Sequence, residues 1–176
     1  MIDTNVLSGA TSLSKLTAAL GVTPPSIYAA FGDKKALFRE AVRRYLNGPV
    51  TSYSIVSDAN SARDAAWGLL EASAVGFTGA DSPPGCLLAS SAMSCSNSAA
   101  DVQAELAEVR RGIEENLRDT IVSAISAGEL AIETDADALA GHIMAVIQGM
   151  STLARDGASR EKLIRVASTA MLAWPA

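Results

Sequence analysis

The sequence predicts an all-α chain, with a short helix-turn-helix head at its start and a helical bundle behind it. Three observations predict this class. Apolar residues recur at helical spacing along most of the chain, the breaks fall at Gly, Pro and capping residues, and no stretch alternates as a strand does. With 176 residues and 49% apolar content the chain can bury a substantial core in one or two domains. No apolar run approaches the ~18 residues a membrane span needs, and the start lacks the charged and apolar regions of a signal peptide, so a cytoplasmic location without membrane contact is expected. Cys86 and Cys95 have no metal-ligand spacing, and on one continuous helix they would lie about 13 Å apart on opposite faces. Neither a metal nor a cofactor is expected.

The head is built from local signals. Leu13, Leu16 and Leu20 recur at helical spacing, Thr11 or Ser12 can cap that helix, and Gly21 sits where a left-handed residue would end it. Thr23 can cap a second helix with Pro24 at its first position, where a missing N–H costs nothing, and Pro25 still within the tolerant first turn. The Thr23 hydroxyl is expected to accept from the Ser26 amide, and Val22 to staple against Ile27. Gly32 stops this helix. Asp33 then caps a third, whose apolar face is Leu37, Phe38, Ala41, Val42 and Tyr45, and Asn47-Gly48-Pro49 ends it. A helix of about two turns is unstable alone, so Ile27 and Phe31 must pack inward while Ser26, Tyr28 and Ala29 face out. An ordinary helical hairpin does not explain two prolines locking the start of so short a helix. An exposed tyrosine among small residues suits a groove.

Charge is divided unevenly. The chain carries a formal −5, yet Lys15, Lys34, Lys35, Arg39, Arg43 and Arg44 against Asp3, Asp33 and Glu40 give residues 1–46 a formal +3, which leaves −8 on the rest. A positive head on an acidic body orients a protein toward phosphate.

Gly21-Val22-Thr23 through Ile27-Tyr28, then Phe31, Asp33-Lys34 and Leu37-Phe38, resembles the DNA-binding signature of the tetracycline-repressor (TetR) family. The resemblance implies that the second helix of the motif enters the major groove of double-stranded DNA. By position, Thr23, Pro24, Pro25 and Ser26 would face base edges or phosphates, Tyr28 would touch the backbone, and Lys34 would hold a phosphate. Thr11 and Ser12 match a further phosphate contact at the start of the preceding helix. Lys35 stands where the family commonly has an acidic residue, and is expected to add attraction to DNA. Family members begin with a longer helix, whereas only Met1–Ala10 precede Thr11, with Asp3-Thr4-Asn5 and Ser8-Gly9 as poor helix formers. Most of the first helix is therefore expected to be missing, leaving Leu16, Ile27 and Phe38 partly exposed. The expected division is a head at 1–48 and a ligand-binding and dimerisation domain at 49–176.

Past Pro49 the spacing predicts helices over Ser61 to about Phe77, Cys86 to Met93, Asp101 to Ala127, Asp135 to Arg155 and Ser159 to Trp174, with a loop at Ser94 to Ser98. In the longest, Val102, Leu106, Val109, Ile113, Leu117, Ile121 and Ala124 trace one stripe, and Gly128 stops it. Small residues Gly141, Ala145, Gly149 and Thr152 on one of the last two helices, with Leu163, Val166, Ala170 and Trp174 on the other, suggest a homodimer through a four-helix bundle. A twofold DNA reader needs heads about 34 to 36 Å apart, or a multiple of that. Pro84-Gly85-Cys86-Leu87-Leu88 and Leu153-Ala154-Arg155 to Trp174-Pro175 extend the family resemblance.

The family also implies a ligand pocket between the middle helices, for which Trp67, Leu70, Phe77, Met93, Ile113, Leu117, Met144 and Ile147 are the candidate lining; a minority of them are expected to touch a ligand. Few charged positions read as buried, which points to a neutral or apolar effector. Cys86, directly after Pro-Pro-Gly at a helix start, is a candidate redox sensor, although cysteine more often simply fills a gap. The expected function is a ligand-responsive regulator, a repressor released from a palindromic operator by a small molecule, and not an enzyme. The alternatives are a thiol enzyme using Cys86 with His142 as base, and a helical binding protein that has lost DNA recognition.

Overall fold

The computed structural model describes residues 17–18, 21–48, 50–80, 82–89 and 100–175. Seven helices are labelled along these residues: α1 (Pro24–Phe31), α2 (Lys34–Leu46), α3 (Ser52–Ser57), α4 (Ala62–Phe77), α5 (Ala100–Ser126), α6 (Ala136–Arg155) and α7 (Arg160–Ala170), the last followed by a 3₁₀ turn at Met171–Ala173. Residues 17–18 and 87–89 are also helical, and no strand occurs among the described residues. Met1–Ala10, Thr11, Ser12, Leu13, Lys15, Leu16, Leu20, Met93, the Ser94–Ser98 loop and Cys95 lie outside them, as does the side chain of Lys34.

Asp33 caps as the sequence predicts, and Ser61, Asp135 and Ser159, expected only as the first residues of their helices, cap them as well. The side chains of Asp33, Ser61, Asp135 and Ser159 each accept from the backbone amide three residues on, satisfying a donor that the helix itself leaves unpaired. Gly32 follows α1 at φ +82°, a backbone conformation that L side chains rarely adopt, and this stops the helix after eight residues. At Thr23 the detail differs. Its carbonyl accepts from the amides of Ser26 (3.0 Å) and Ile27 (3.4 Å), and its hydroxyl pairs instead with the Ser26 hydroxyl at 3.0 Å. Two prolines have already removed two of the orphan amides, so the side-chain cap is redundant. Val22 remains exposed rather than buried over Ile27.

One helix has no counterpart in the sequence reading. α3 is six residues long, too short for periodicity to reveal, and is held by a capping box in which Thr51 and Ser54 exchange side-chain and backbone bonds. The last helix also ends earlier than its spacing predicts, closing through the 3₁₀ turn before Trp174.

Three apolar clusters form the interior. The largest joins α4 (Ala65, Leu70), α5 (Leu117, Ile121), α6 (Ile143, Met150) and α7 (Leu163, Ala167), with Trp174 closing it. A small one joins Ile27 of α1 to Leu37 of α2, with Phe31, Phe38 and Ala41 against them. The third gathers Leu88, Val102 and Leu106 with Phe38, Val42 and Leu46, so α2 is packed onto the first half of α5. Ile27 is buried, correcting the expectation that it would be left partly bare, whereas Phe38 is half-buried and does stay partly exposed. Along α5 the predicted stripe is buried at both ends, but Val109 and Ile113 in its middle are only half-buried.

The segment 82–89 is locked onto α6. Buried Ser151 accepts the Cys86 amide at 2.8 Å, and a Cβ on Gly85, whose φ is +90°, would lie 2.9 Å from the Ser151 carbonyl. Ser151→Ala leaves the Cys86 amide without that acceptor and is expected to cost about 1–3 kcal/mol. Gly112→Ala, on an exposed turn of α5 with open space around it, is expected to gain about 0.5–1 kcal/mol. Urea unfolding midpoints of the two variants should therefore move in opposite directions.

Candidate functional site

The outer face of α1 is the first candidate surface. Its apolar side is committed to α2 through Ile27 and Phe31, which leaves Thr23, Pro24, Pro25, Ser26, Tyr28 and Ala29 exposed on the other side. Tyr28 keeps 48% of its surface open, and the paired hydroxyls of Thr23 and Ser26 stand beside it. This is a small, rigid, hydroxyl-bearing ridge. The backbone of Lys34 begins α2 directly behind Asp33.

The cations of α2 are differently placed from what charge counting suggests. Lys35 Nζ reaches both oxygens of Asp101 at 2.9 and 3.1 Å. Arg39 binds Glu105 through Nε at 2.9 Å and Nη2 at 2.5 Å, and Asp101 through Nη2 at 3.3 Å. Asp101 and Glu105 are one turn apart on α5, so the four side chains form a clasp between head and body. Arg43 and Arg44 both bind Glu40 within α2, and their hydrogen bonds, Arg43 first, lower its carboxyl to about 2. Lys35 thus contributes to the clasp, correcting the expectation that it would add attraction to DNA.

Behind the clasp lies a cleft of about 730 Å³, within the range of small-molecule sites. Tyr45 and Leu46 of α2, Ile55 of α3, Leu69 and Phe77 of α4, Leu88, Ile113 of α5 and Met144, Ile147 and Gln148 of α6 line it. The cleft accounts for the half-burial of Ile113 at the centre of α5. Of the expected lining residues, Phe77, Ile113, Met144 and Ile147 are there. Leu70 and Leu117 are fully enclosed in the main core, and Trp67 packs against that core instead, so these three do not line the cleft. Tyr45, Ile55 and Arg110 were missed. Arg110 carried a signal, since it falls at helical spacing between Leu106 and Ile113 on the apolar stripe itself.

Cys86 also lines the cleft, where the Tyr45 hydroxyl donates to its sulfur at 3.6 Å. Desolvation of the Tyr45 phenol against the cleft, reinforced by the neighbouring Cys86, raises it above its ordinary range, although 41% of the residue stays open to solvent. His142 is elsewhere: it lines a separate groove with Val146 and Val166 between α6 and α7, and its Nε2 lies 3.4 Å from the Ala170 carbonyl. The geometry does not bring Cys86 and His142 together as nucleophile and base. Among the described residues no cluster of His, Cys, Asp and Glu could hold a metal, and no helix is long and apolar enough to cross a membrane.

The expected dimer residues divide into two groups. Leu163, Ala170 and Trp174 are buried within the chain's own core and correct that expectation; periodicity marks an apolar face without saying which chain covers it. Gly141 is half-buried, and a Cβ there would sit 3.3 Å from Glu114 Oε1 of the same chain. Ala145, Gly149 and Thr152 are exposed, and Val166 is half-buried beside them.

A short exposed helix on a two-helix head, clasped to a helical body that contains a cleft, is the organisation of a ligand-responsive DNA-binding regulator. Residues 9–41 match the family described as bacterial regulatory proteins, tetR family, and residues 67–170 match the tetracyclin repressor-like C-terminal domain; the chain belongs to the tetracycline-repressor family. It is 32% identical over 168 residues to the HTH-type transcriptional repressor ComR of Escherichia coli strain K12, covering 94% of this chain and 80% of that protein. A cysteine mutant of the TetR family transcriptional regulator CifR, in complex with 26-base-pair double-strand operator DNA, superposes with a TM-score of 0.88 at 35% identity, covering 97% of this chain and 90% of that one. A TetR-family regulator from Cytophaga hutchinsonii shares the fold at a TM-score of 0.71 and 22% identity, over 95% and 86% of the two chains.

The clasp has a definite pH dependence. Hydrogen bonds from Lys35 to Asp101 and from Arg39 to Glu105 lower both carboxyls, so their contribution is present above the ordinary carboxylate pKa of about 4 and is lost as pH falls through the lowered folded values. Glu105→Gln is expected to raise amide exchange in α2 several-fold at neutral pH while leaving α6 unchanged. Arg39→Glu combined with Glu105→Arg should restore protection, and hydrogen exchange with mass detection compares both variants with the unaltered chain.

Proposed function

We propose that this chain is a cytoplasmic transcriptional repressor, not an enzyme, that binds a palindromic operator as a homodimer and is released by a small-molecule effector. The head is residues 1–48 and the ligand-binding and dimerisation domain residues 49–176. The carrying observation is the exposed ridge of α1, together with the close superposition on a relative held on operator DNA. In this reading Thr23, Pro24, Pro25 and Ser26 approach base edges, and Tyr28, Lys34, Thr11 and Ser12 approach phosphates. The second helix of such a motif lies in the major groove with its N-terminal residues toward the bases.

Coupling follows from which elements touch the cleft. An effector there contacts Tyr45 and Leu46 on α2 itself, and α5 a short distance beyond Glu105. Any occupant that needs α5 or the end of α2 to shift acts on the head through the clasp and through Phe38, which packs in both head clusters. The effect on affinity is geometric, because two half-sites tolerate one head separation. A coupling of about 1 to 3 kcal/mol is typical of such switches.

The dimer surface is the exposed strip Ala145, Gly149 and Thr152 on α6 with Val166 on α7, flanked by exposed Thr169 and Ala173. No side chain fills the space around Gly149, which permits close approach of a second helix. Gly149→Arg is expected to convert the dimer to monomer in sedimentation velocity with the helical content retained.

Binding of the chain to DNA fragments from beside its own gene, followed by mobility shift at several salt concentrations, tests the central reading. Sequence-selective binding that weakens as salt rises is expected. Tyr28→Ala should weaken binding about tenfold on every sequence, whereas Ser26→Ala should change the ranking among operator variants. Weak binding without selectivity by a folded dimer would refute the repressor reading.

A further inference from the structure

Among the described residues one cation lines the cleft, and its position points to the chemical class of the effector. Arg110 is half-buried among Leu88, Ile113 and the other apolar lining residues. Its Nη1 donates to the Leu88 carbonyl at 2.8 Å, and its other donors make no hydrogen bond to the described residues. No carboxylate of the described residues lies within ion-pairing distance of it. The other described cations without an acidic partner, Arg63, Arg155, Arg160, Lys162 and Arg165, all lie on exposed surface. Arg110 is therefore the one half-buried cation, among side chains described, that lacks a counter-charge.

We infer that the cleft binds an amphipathic anion, with an apolar body against the lining and an anionic head on Arg110. This rests on reading the cleft as the effector site, and it replaces the expectation of a neutral or apolar effector. With Nη1 anchored by Leu88, the Nε and Nη2 edge of the guanidinium remains as two parallel donors, the pair that matches two oxygens of a carboxylate or phosphate. A charge removed from bulk water gains most from a partner that arrives with its own opposite charge. Glu71, the one carboxylate among the described lining residues, is exposed, so water screens its repulsion.

The test titrates the full chain with n-decanoate, decyl phosphate, n-decanol and decylamine by calorimetry at low salt. The two anions are expected to bind about tenfold or more tightly than decanol, and decylamine most weakly; the order of the two anions tells a carboxylate site from a phosphate site. Arg110→Gln should bring the decanoate-to-decanol ratio close to one, and Arg110→Lys, which keeps the charge without the planar fork, should retain part of the preference. Independently of any variant, the affinity of wild-type protein for decanoate should fall with added sodium chloride while that for decanol does not. No saturable decanoate binding, equal binding of decanoate and decanol, or a preference untouched in folded Arg110→Gln would overturn the inference. Operator binding measured on the same samples separates the two readings. Protein that binds DNA selectively but does not prefer anions remains a regulator and loses this inference, whereas protein that prefers decanoate but ignores DNA does the reverse.

Discussion

The constraint on which the structure depends is the single apolar stripe of α5, which is divided between two cores. At one end Val102 and Leu106 bury against α2 and Leu88, and at the other Leu117, Ile121 and Ala124 bury in the main body. A helix of 27 residues is about 40 Å long, so these two burial sites are held apart by a stiff rod. Between them Val109 and Ile113 pack only half-buried against the first of these cores, and the open side of Ile113, with Arg110, faces the cleft. Head, cleft and body are thus set by one continuous element. The same helix carries both carboxylates of the clasp on its first turns and Arg110 at the centre of its span.

Division of the stripe also explains how the head can be both attached and responsive. The contacts that fix α2 to the body are one small apolar cluster and an exposed group of ion pairs, whereas the contacts that fix α4, α6 and α7 to one another are fully buried. Screened ion pairs and a limited apolar contact yield before a close-packed interior does. Motion on ligand binding is therefore directed into the head joint, and the body serves as a rigid reference.

What the sequence made legible was local. The cap at Asp33, the stop at Gly32 and the helix starts at Ser61, Asp135 and Ser159 depend on residues within a turn of each other, so they could be read directly. The outward set of α1 followed from its length, since so short a helix must give Ile27 and Phe31 to its neighbours. What stayed hidden was relational. The partners of Lys35 and Arg39 lie some 66 positions away in the chain, and no charge count distinguishes a cation facing DNA from one facing its own body. Leu163, Ala170 and Trp174 were assigned to a partner subunit by a periodicity that describes self-burial equally well. Arg110 sits at helical spacing within the apolar stripe of α5, and apolar periodicity gives no weight to a charged position inside it.

The clasp bears on how the protein would search a genome. Attraction to arbitrary sequence comes from cations that displace the ions condensed along the duplex, and here Lys35, Arg39, Arg43 and Arg44 already have carboxylates beside them. The three carboxylates Glu40, Asp101 and Glu105 offset most of the charge of these four cations, which weakens their attraction to a random duplex. In the proposed repressor, telling an operator from random sequence would then fall to the exposed ridge of α1 more than to the cations of α2.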